Sequence, residues 1–356
     1  MYGFSFYLNN EVDQLSEKQL GLMKQVGFSG LFTSLHIPED DATLYRKRIK
    51  KLGELAKNNQ LDLMVDISGG ALEKAGFSID HLSELVTMGI TGLRMDDGFS
   101  METIAACSHQ MQVGLNASTI TESELTRLRQ LAADFQNLSV WHNYYPRPET
   151  GLDRQWFFAK NEWLRQEGLT VQAFIPGDGE KRGPLKAGLP TLEEHRNCLP
   201  LVAALDLEQL GVDFVYVGDP TLSAKSLAQF EAWLGKQRIL LSCQLFENAS
   251  QSTVLGVHYN RPDVARDVVR SRESRRKRVN EVQPLPLRIR ELGAITVDNS
   301  LYGRYMGELQ LCKRNLPADE RVNVVGRLVE EDCSLLPFIG ANQEFELVEK
   351  EVTTHE

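Results

Sequence analysis

Two adjacent carboxylates, Asp96 and Asp97, are the side chains of this sequence best suited to acid–base chemistry. Carboxylates held close together push their pKa values apart, so that one stays ionised while the other donates a proton. Consecutive strand residues face opposite sides, so both reach one site only if Gly98 lets the chain turn. The alternative is an Asp-Gly turn that ends a strand, with one carboxylate capping a helix at Ser100. The sequence leaves both interpretations open.

A second group of polar and aromatic residues follows the apolar run 138–141. It consists of His142, Asn143, Tyr144, Tyr145 and Arg147. Aromatic faces pack on sugar rings while amides and a guanidinium read hydroxyl groups, so this mixture indicates a sugar site. The alternative is that Trp141 and His142 are core residues and that Pro-Arg-Pro is a stiff surface turn. The density of polar side chains favours the site.

A third group lies in the long, glycine-rich segment 176–184, which carries Lys181 and Arg182. Backbone amides exposed by glycine, together with a guanidinium, suit an anion. The alternative is a solvated loop in which Glu180 and Lys181 simply pair. Long loops in compact domains are more often functional, which favours the anion site.

Composition limits the kind of partner. The chain has 356 residues, with 39 Lys and Arg against 49 Asp and Glu, and its net charge of −10 argues against a dedicated nucleic-acid or anionic-membrane binder. The N-terminus lacks the pattern of a signal peptide, and no window approaches the roughly 20 apolar residues of a membrane span. The 5 cysteines form no CxxC pair, so we expect reduced thiols in a cytoplasmic protein.

Eight short apolar runs alternate with amphipathic stretches over the first two-thirds of the chain and predict parallel β-strands separated by helices. The runs are 3–8, 30–35, 61–67, 91–95, 113–116, 138–141, 171–175 and 214–217. Thr121 with Glu124, and Thr191 with Glu194, fit the capping box that starts a helix, and Ser78 and Ser100 fit simpler caps. Eight units in roughly 235 residues favour a (β/α)8 TIM barrel over an open doubly wound sheet, since the first turn is not glycine-rich.

The pattern changes after about residue 237. Strand-like runs dominate from 238 to 356, so we predict a barrel domain at 1–237 and a small β-barrel domain at 238–356. A helix is predicted from Asp263 to about Val279. It overlaps the basic run 261–278, which lacks the interleaved aromatics of a nucleic-acid site and fits a solvated helix face.

A (β/α)8 barrel places reacting groups where strands end and βα loops begin. That rule adds Asp66, Arg94 and Asn116 to the candidates, together with Ser34 and His36 at the end of the second strand. The first strand holds neither a Schiff-base lysine nor a His-x-His metal motif. A G-x-S-x-G elbow and a phosphate-binding P-loop are also missing, so the sequence predicts no cofactor and no metal.

The order of these segments resembles the bacterial 6-phospho-N-acetylmuramidase family, long catalogued as uncharacterised or "outer surface protein" homologues. The resemblance rests on residues 3–7, 66–68, 92–98, 115–118, 142–147 and 183–191, and on 271–272, 298–299 and 307–309. It implies an N-terminal (β/α)8 barrel, a C-terminal cyclophilin-like β-barrel, and cytoplasmic hydrolysis of MurNAc 6-phosphate linked to GlcNAc during cell-wall recycling. The partner is then a small phosphorylated amino sugar, and homo-oligomerisation is left open.

The 2-acetamido group of MurNAc suggests a substrate-assisted mechanism, as in O-GlcNAcase-type barrels. We hypothesise that Asp96 orients this group and that Asp97 is the general acid and base, or the reverse. Asp66 and Glu149 are the reserve carboxylates for an ordinary two-acid mechanism. Lys181, Arg182, Arg270 and Arg272 are the candidate phosphate ligands. A non-catalytic phosphosugar-binding or regulatory protein, or a phosphosugar lyase or aldolase, are the alternatives.

Overall fold

The apolar runs of the first two-thirds form eight parallel strands, β1 to β8, which close into a barrel in chain order. The computed structural model describes residues 1–9, 11–35, 44–247, 249–274 and 281–350. The strands are β1 Tyr2–Ser5, β2 Gly30–Ser34, β3 Asp62–Ile67, β4 Gly92–Met95, β5 Gln112–Asn116, β6 Leu138–Trp141, β7 Thr170–Ile175 and β8 Phe214–Val217. The predicted (β/α)8 barrel is therefore confirmed.

Helices alternate with these strands. They are α1 Gln14–Val26, α2 Tyr45–Asn58, α3 Gly69–Lys74, α4 Leu82–Thr87, α5 Met101–Ser108, α6 Glu122–Gln130, α7 Arg154–Gln166, α8 Pro200–Gln209 and α9 Ala224–Lys236. Among the residues described, no helix is both long and apolar enough to cross a membrane.

The helix starts test the predicted caps. Thr121 and Glu124 form the predicted capping box of α6, and Ser78 and Ser100 each accept a backbone amide hydrogen bond at a helix start. The second predicted box is wrong. Thr191 is fully buried, where its hydroxyl donates to the Asn143 carbonyl and accepts from the Phe174 amide, at 2.9 Å each. Tertiary hydrogen bonds therefore displaced a local capping pattern.

Glycines on the inner faces of the strands make room for large side chains inside the barrel. A Cβ on Gly3 or Gly30 would overlap the Tyr216 side chain, and a Cβ on Gly114 would lie 2.7 Å from Trp141. The rings therefore occupy the interior, where Tyr216 and Trp141 belong to one buried cluster with Phe32 and Phe174. Polar side chains of these strands, such as Ser34 and Asn116, lie at the carboxyl ends, at the mouth of the barrel.

The chain divides into two compact units, Met1–Leu227 and Ala228–Glu356, so the division falls within α9. The second unit contains a mixed seven-stranded sheet in the order β10-β15-β9-β14-β12-β13-β11. Its strands are β9 Ile239–Leu245, β10 Gly256–Tyr259, β11 Val268–Arg270, β12 Ala294–Asp298, β13 Leu309–Cys312, β14 Val322–Leu328 and β15 Glu344–Glu349, with the short helix α10 Gln251–Val254.

The helix predicted from Asp263 to Val279 is wrong where the structure describes it. Val268–Arg270 forms strand β11, antiparallel to β13, and no helix lies between 263 and 274. The β-branched Val268 and Val269 favour a strand, and Val269 is 1% exposed. Residues 275–278 of the basic run lie outside the described part of the chain.

The second unit buries two neighbouring carboxylates. Asp298 at the end of β12 is 4% exposed and Glu308, just before β13, is 1% exposed. The Arg270 guanidinium donates to both oxygens of Glu308, at 2.6 and 3.2 Å. Burial raises the pKa of Asp298 to about 7, and the charge of Glu308 adds to the rise.

This raised pKa predicts that the second unit loses stability as the pH rises from about 4 to about 7. In that window the unfolded chain has released the Asp298 proton while the folded chain still binds it, so the folded state is favoured at the acid end. Asp298→Asn should remove this component, which is on the order of a few kcal/mol. Hydrogen exchange of the β12–β14 amides, compared between the two proteins at each pH, measures it. A difference that stays constant from pH 4 to pH 7.5 would contradict the prediction.

Candidate active site

The carboxyl ends of β3 and β4 hold a buried ion pair. Strand register places Asp66 beside Ser34 on one side and Arg94 on the other. Arg94 is 3% exposed, and its Nη1 donates to Asp66 Oδ1 at 2.6 Å, while Ser34 Oγ donates to Asp66 Oδ2 at 2.8 Å. Burial lowers the pKa of Arg94, but the charges of Asp66 and Asp96 outweigh it and raise that pKa overall. Arg94 is therefore a permanent cation at the mouth.

Asp96 follows β4 on the same face as Arg94. Its Oδ1 accepts from Asn116 Nδ2 at 2.8 Å and lies 3.2 Å from Arg94 Nη2. Asn116 is fixed in turn, because its Oδ1 accepts the Ser118 amide at 2.9 Å. No described residue donates to the second oxygen of Asp96, and its side chain is 27% exposed. One carboxylate oxygen is thus held by two side chains, and the side chain as a whole is partly exposed.

Asp97 is exposed, and no hydrogen bond or ion pair joins it to Arg94 among the described residues. Its Oδ1 accepts the Gly98 amide at 2.8 Å, and Gly98 has a φ of +83°, the turn that the sequence required. Asp96 and Asp97 nevertheless both line one cavity of about 370 Å³. The described residues that complete its lining come from the ends of β4 and β5, the loops that follow them, and helices α5 and α6, and they do not include Asp66 or Arg94. The adjacent pair is therefore brought to one cavity without a hydrogen bond between the two carboxylates.

The loop after β6 contributes unequally. Asn143 accepts a hydrogen bond from Arg94 Nη2 and joins the cluster. His142 has no exposed surface, and its Nε2 lies 2.7 Å from Asn161 Oδ1. Burial lowers the pKa of His142 to about 4, so the ring is neutral near pH 7 and fits a packing role. Arg147 is exposed at the surface of the same loop.

Arg182 is held by two tyrosines. Its guanidinium lies 4.0 Å from the centre of the Tyr7 ring, and its Nη1 donates to the Tyr144 hydroxyl at 3.1 Å. The Tyr7 hydroxyl donates to the Gly218 carbonyl at 2.5 Å. Burial raises the pKa of both tyrosines, so both hydroxyls stay protonated at neutral pH. A cation is therefore positioned on the side of the mouth formed by β1, β7 and β8.

Four more predicted residues are described, two in the first unit and two in the second. Lys181 is half-buried next to Arg182, and Glu149 is exposed. Arg270 and Arg272 belong to the second unit, where they pair with Glu308 and Glu273. His36 lies outside the described residues.

Tyr7 contributes to the site but was not among the predicted site residues, because it carries no charge. Counting inward positions at period two from Gly3 reaches it at the end of the first strand, and the same count from Gly30 reaches Ser34, which was already a candidate.

Another set of chemically capable residues lies outside the mouth. The ligand atoms of Glu194, His195 and Asp206 lie within 4.8 Å of one another. Arg154 donates to Glu194 and to Asp206, at 2.6 Å in both cases. The Arg154 guanidinium therefore supplies the positive charge beside the carboxylates of Glu194 and Asp206.

Comparisons with known proteins identify relatives over nearly the whole chain. Residues 2–232 match the family model described as 6-phospho-N-acetylmuramidase, N-terminal, and residues 239–348 match the one described as 6-phospho-N-acetylmuramidase, C-terminal. A crystal structure of a conserved Enterococcus faecalis protein of unknown function is 46% identical, with a TM-score of 0.92 over 99% of this chain and 97% of that one. An uncharacterised B. cereus protein is 29% identical, with a TM-score of 0.77 over 98% and 99%. Curated protein sequences give no match.

Proposed function

The chain belongs to the 6-phospho-N-acetylmuramidase family, a family of glycosidases, and from that premise we propose that it hydrolyses the bond between MurNAc 6-phosphate and GlcNAc. The observation that carries the proposal is the cluster of Asp66, Arg94, Asp96 and Asn116 at the carboxyl ends of β3 to β5. Glycosidases place carboxylates at this position of a barrel to act on the anomeric carbon.

The mechanism we propose is assisted by the substrate's own acetamido group. The outward oxygen of Asp96 accepts the acetamido N–H, which orients the acetamido oxygen to attack C1. Asp97 donates its proton to the departing glycosidic oxygen, and an oxazolinium intermediate forms. A water molecule then attacks C1 and gives a proton to Asp97, which restores the acid. The ring opens to regenerate the acetamido group.

Charge is distributed unevenly around the mouth, which supports an orientation for the sugar. Among the described residues at the ends of β3 and β4, Asp66 and Asp96 outnumber the cation Arg94, so this side suits the positive charge that develops at the anomeric centre. Arg182 and Lys181 lie on the other side and suit the 6-phosphate. A phosphorylated sugar would therefore bind with its C1 towards β4 and its phosphate towards the loop after β7.

We also propose a domain organisation and a cellular role for the protein. We assign catalysis to a domain spanning 1–237 and propose that 238–356 has a cyclophilin-like architecture. The protein would act in the cytoplasm during peptidoglycan recycling. Arg270 and Arg272 stay as candidate phosphate ligands, and Arg147 as a sugar ligand.

A chromogenic glycoside tests the reaction. We expect the protein to release 4-nitrophenol from 4-nitrophenyl MurNAc 6-phosphate. The sugar product should be free MurNAc 6-phosphate, in which a hydroxyl group from water has replaced the nitrophenolate. Absorbance measures the release and mass spectrometry the product. Binding without release would favour a sensor, and a product lacking the added water would favour a lyase.

A further inference from the structure

Asp219, immediately after β8, fastens the loop that carries Arg182. Its side chain is 1% exposed. Its Oδ2 accepts the amides of Gly177 and Leu189, at 2.9 and 3.0 Å, and its Oδ1 accepts the Arg182 amide at 3.1 Å. One carboxylate thus binds the beginning, the middle and the end of the loop after β7.

The approach of this loop to Asp219 is close enough to require glycine. A Cβ on Gly177 would lie 2.5 Å from the Thr221 carbonyl oxygen and 2.8 Å from the Asp219 Cβ. The hydrogen bonds of Asp219 are all made to backbone amides, so the substrate does not have to displace an arginine or lysine from it. Its negative charge is balanced by the dipoles of these three backbone amides.

We propose that Asp219 is a positioning residue for recognition of the substrate's phosphate, acting through Arg182. The inference rests on the proposed function, which makes Arg182 a phosphate ligand. Asp219 fixes the backbone of Arg182, and Tyr7 and Tyr144 fix its guanidinium. An arginine held at both ends loses little conformational freedom when it binds an anion.

Asp219→Asn is a selective test because two of the three hydrogen bonds are made to Oδ2 and only the one from Arg182 is made to Oδ1. The asparagine carbonyl can replace Oδ2 and keep the Gly177 and Leu189 amides. Its NH2 group then faces the Arg182 amide, and two donors oppose each other. The variant should therefore keep the fold and release the Arg182 segment alone.

Asp178→Asn is the matched control in the same loop. The Asp178 carboxylate accepts the Ser223 amide and hydroxyl, at 2.8 and 2.7 Å, and the Ser226 hydroxyl at 2.7 Å. Like Asp219 it is a carboxylate that binds three donors, but these come from the segment after β8 and not from Arg182. A general loosening of the loop would affect both variants alike.

The measured quantity is the ratio of kcat/KM for 4-nitrophenyl MurNAc 6-phosphate to that for the unphosphorylated glycoside. Asp219→Asn should lower this ratio on the order of tenfold through KM, with kcat little changed. Asp178→Asn should leave the ratio unchanged. In an Arg182→Ala background, Asp219→Asn should have no further effect, since it acts through that arginine.

The outcomes separate the inference from its premise. If Arg182→Ala lowers the ratio and Asp219→Asn does not, the positioning role is wrong and the proposed function stands. Equal losses in the Asp219 and Asp178 variants, or an additive loss in the double variant, would also overturn it. If neither glycoside is hydrolysed by the parent protein, the proposed function itself fails.

Discussion

Replacing Asp96 by asparagine should lower the turnover of MurNAc 6-phosphate glycosides by about 10²- to 10⁴-fold. Asparagine keeps one oxygen for Asn116 and Arg94, so the local hydrogen bonds survive. Its second position presents an NH2 donor to the acetamido N–H, where an acceptor is required. The acetamido oxygen is then no longer directed at C1. Steady-state kinetics on the 4-nitrophenyl glycoside measure the loss.

The companion variant Asp97→Asn distinguishes the roles of the two carboxylates when substrates with different leaving groups are compared. A general acid matters most when the leaving oxygen is basic, as in the GlcNAc disaccharide, and least for 4-nitrophenolate. Asp97→Asn should therefore slow the disaccharide far more than the nitrophenyl glycoside, whereas Asp96→Asn should slow both similarly. The reverse pattern would exchange their roles, which the sequence already left open.

Two controls make this result decisive. Glu17→Gln changes an exposed carboxylate in α1 and should leave turnover unchanged. A thiazoline that mimics the cyclised intermediate should inhibit the parent protein strongly. Near-normal rates in both aspartate variants would show that neither aspartate is catalytic. A thiazoline without effect at high concentration would contradict substrate assistance.

The barrel was predictable because its signal is repeated eight times along the chain. The change from apolar to polar residues also shows where each strand ends. It therefore placed Asp66, Arg94, Asp96 and Asn116 at the mouth before any contact was known. Their partners could not. The bond from Arg94 to Asn143 joins residues 49 positions apart, and such pairings depend on register between strands that no local pattern reports.

Local patterns failed where tertiary contacts compete with them. The Thr191 capping box was wrong because that hydroxyl bonds to two neighbouring segments inside the first unit. The helix predicted from Asp263 was wrong because Val268 and Val269 pair with β13. His142 illustrates a third case: a residue type that suggests chemistry is buried beside Asn161, and its side chain has no exposed surface.

Arg182→Ala should reduce the preference for the phosphorylated glycoside over the plain one by about 10- to 100-fold. The guanidinium offers paired donors to a phosphate, and its orientation is set by the Tyr7 ring and the Tyr144 hydroxyl. Hydrolysis of the plain glycoside should change little, because the carboxylate cluster is untouched. The ratio of the two kcat/KM values measures the effect.

Graded variants distinguish an oriented guanidinium from simple positive charge. Arg182→Lys keeps the charge but loses the planar pair of donors, so it should recover part of the preference. Tyr144→Phe removes one hydrogen bond to Arg182 and should give an intermediate loss. Arg127 lies on α6 and pairs with Glu102 of α5 at the surface, so Arg127→Ala should leave the ratio unchanged. If Arg182→Ala keeps the full preference, the phosphate binds elsewhere, and Lys181, Arg270 and Arg272 become the residues to test.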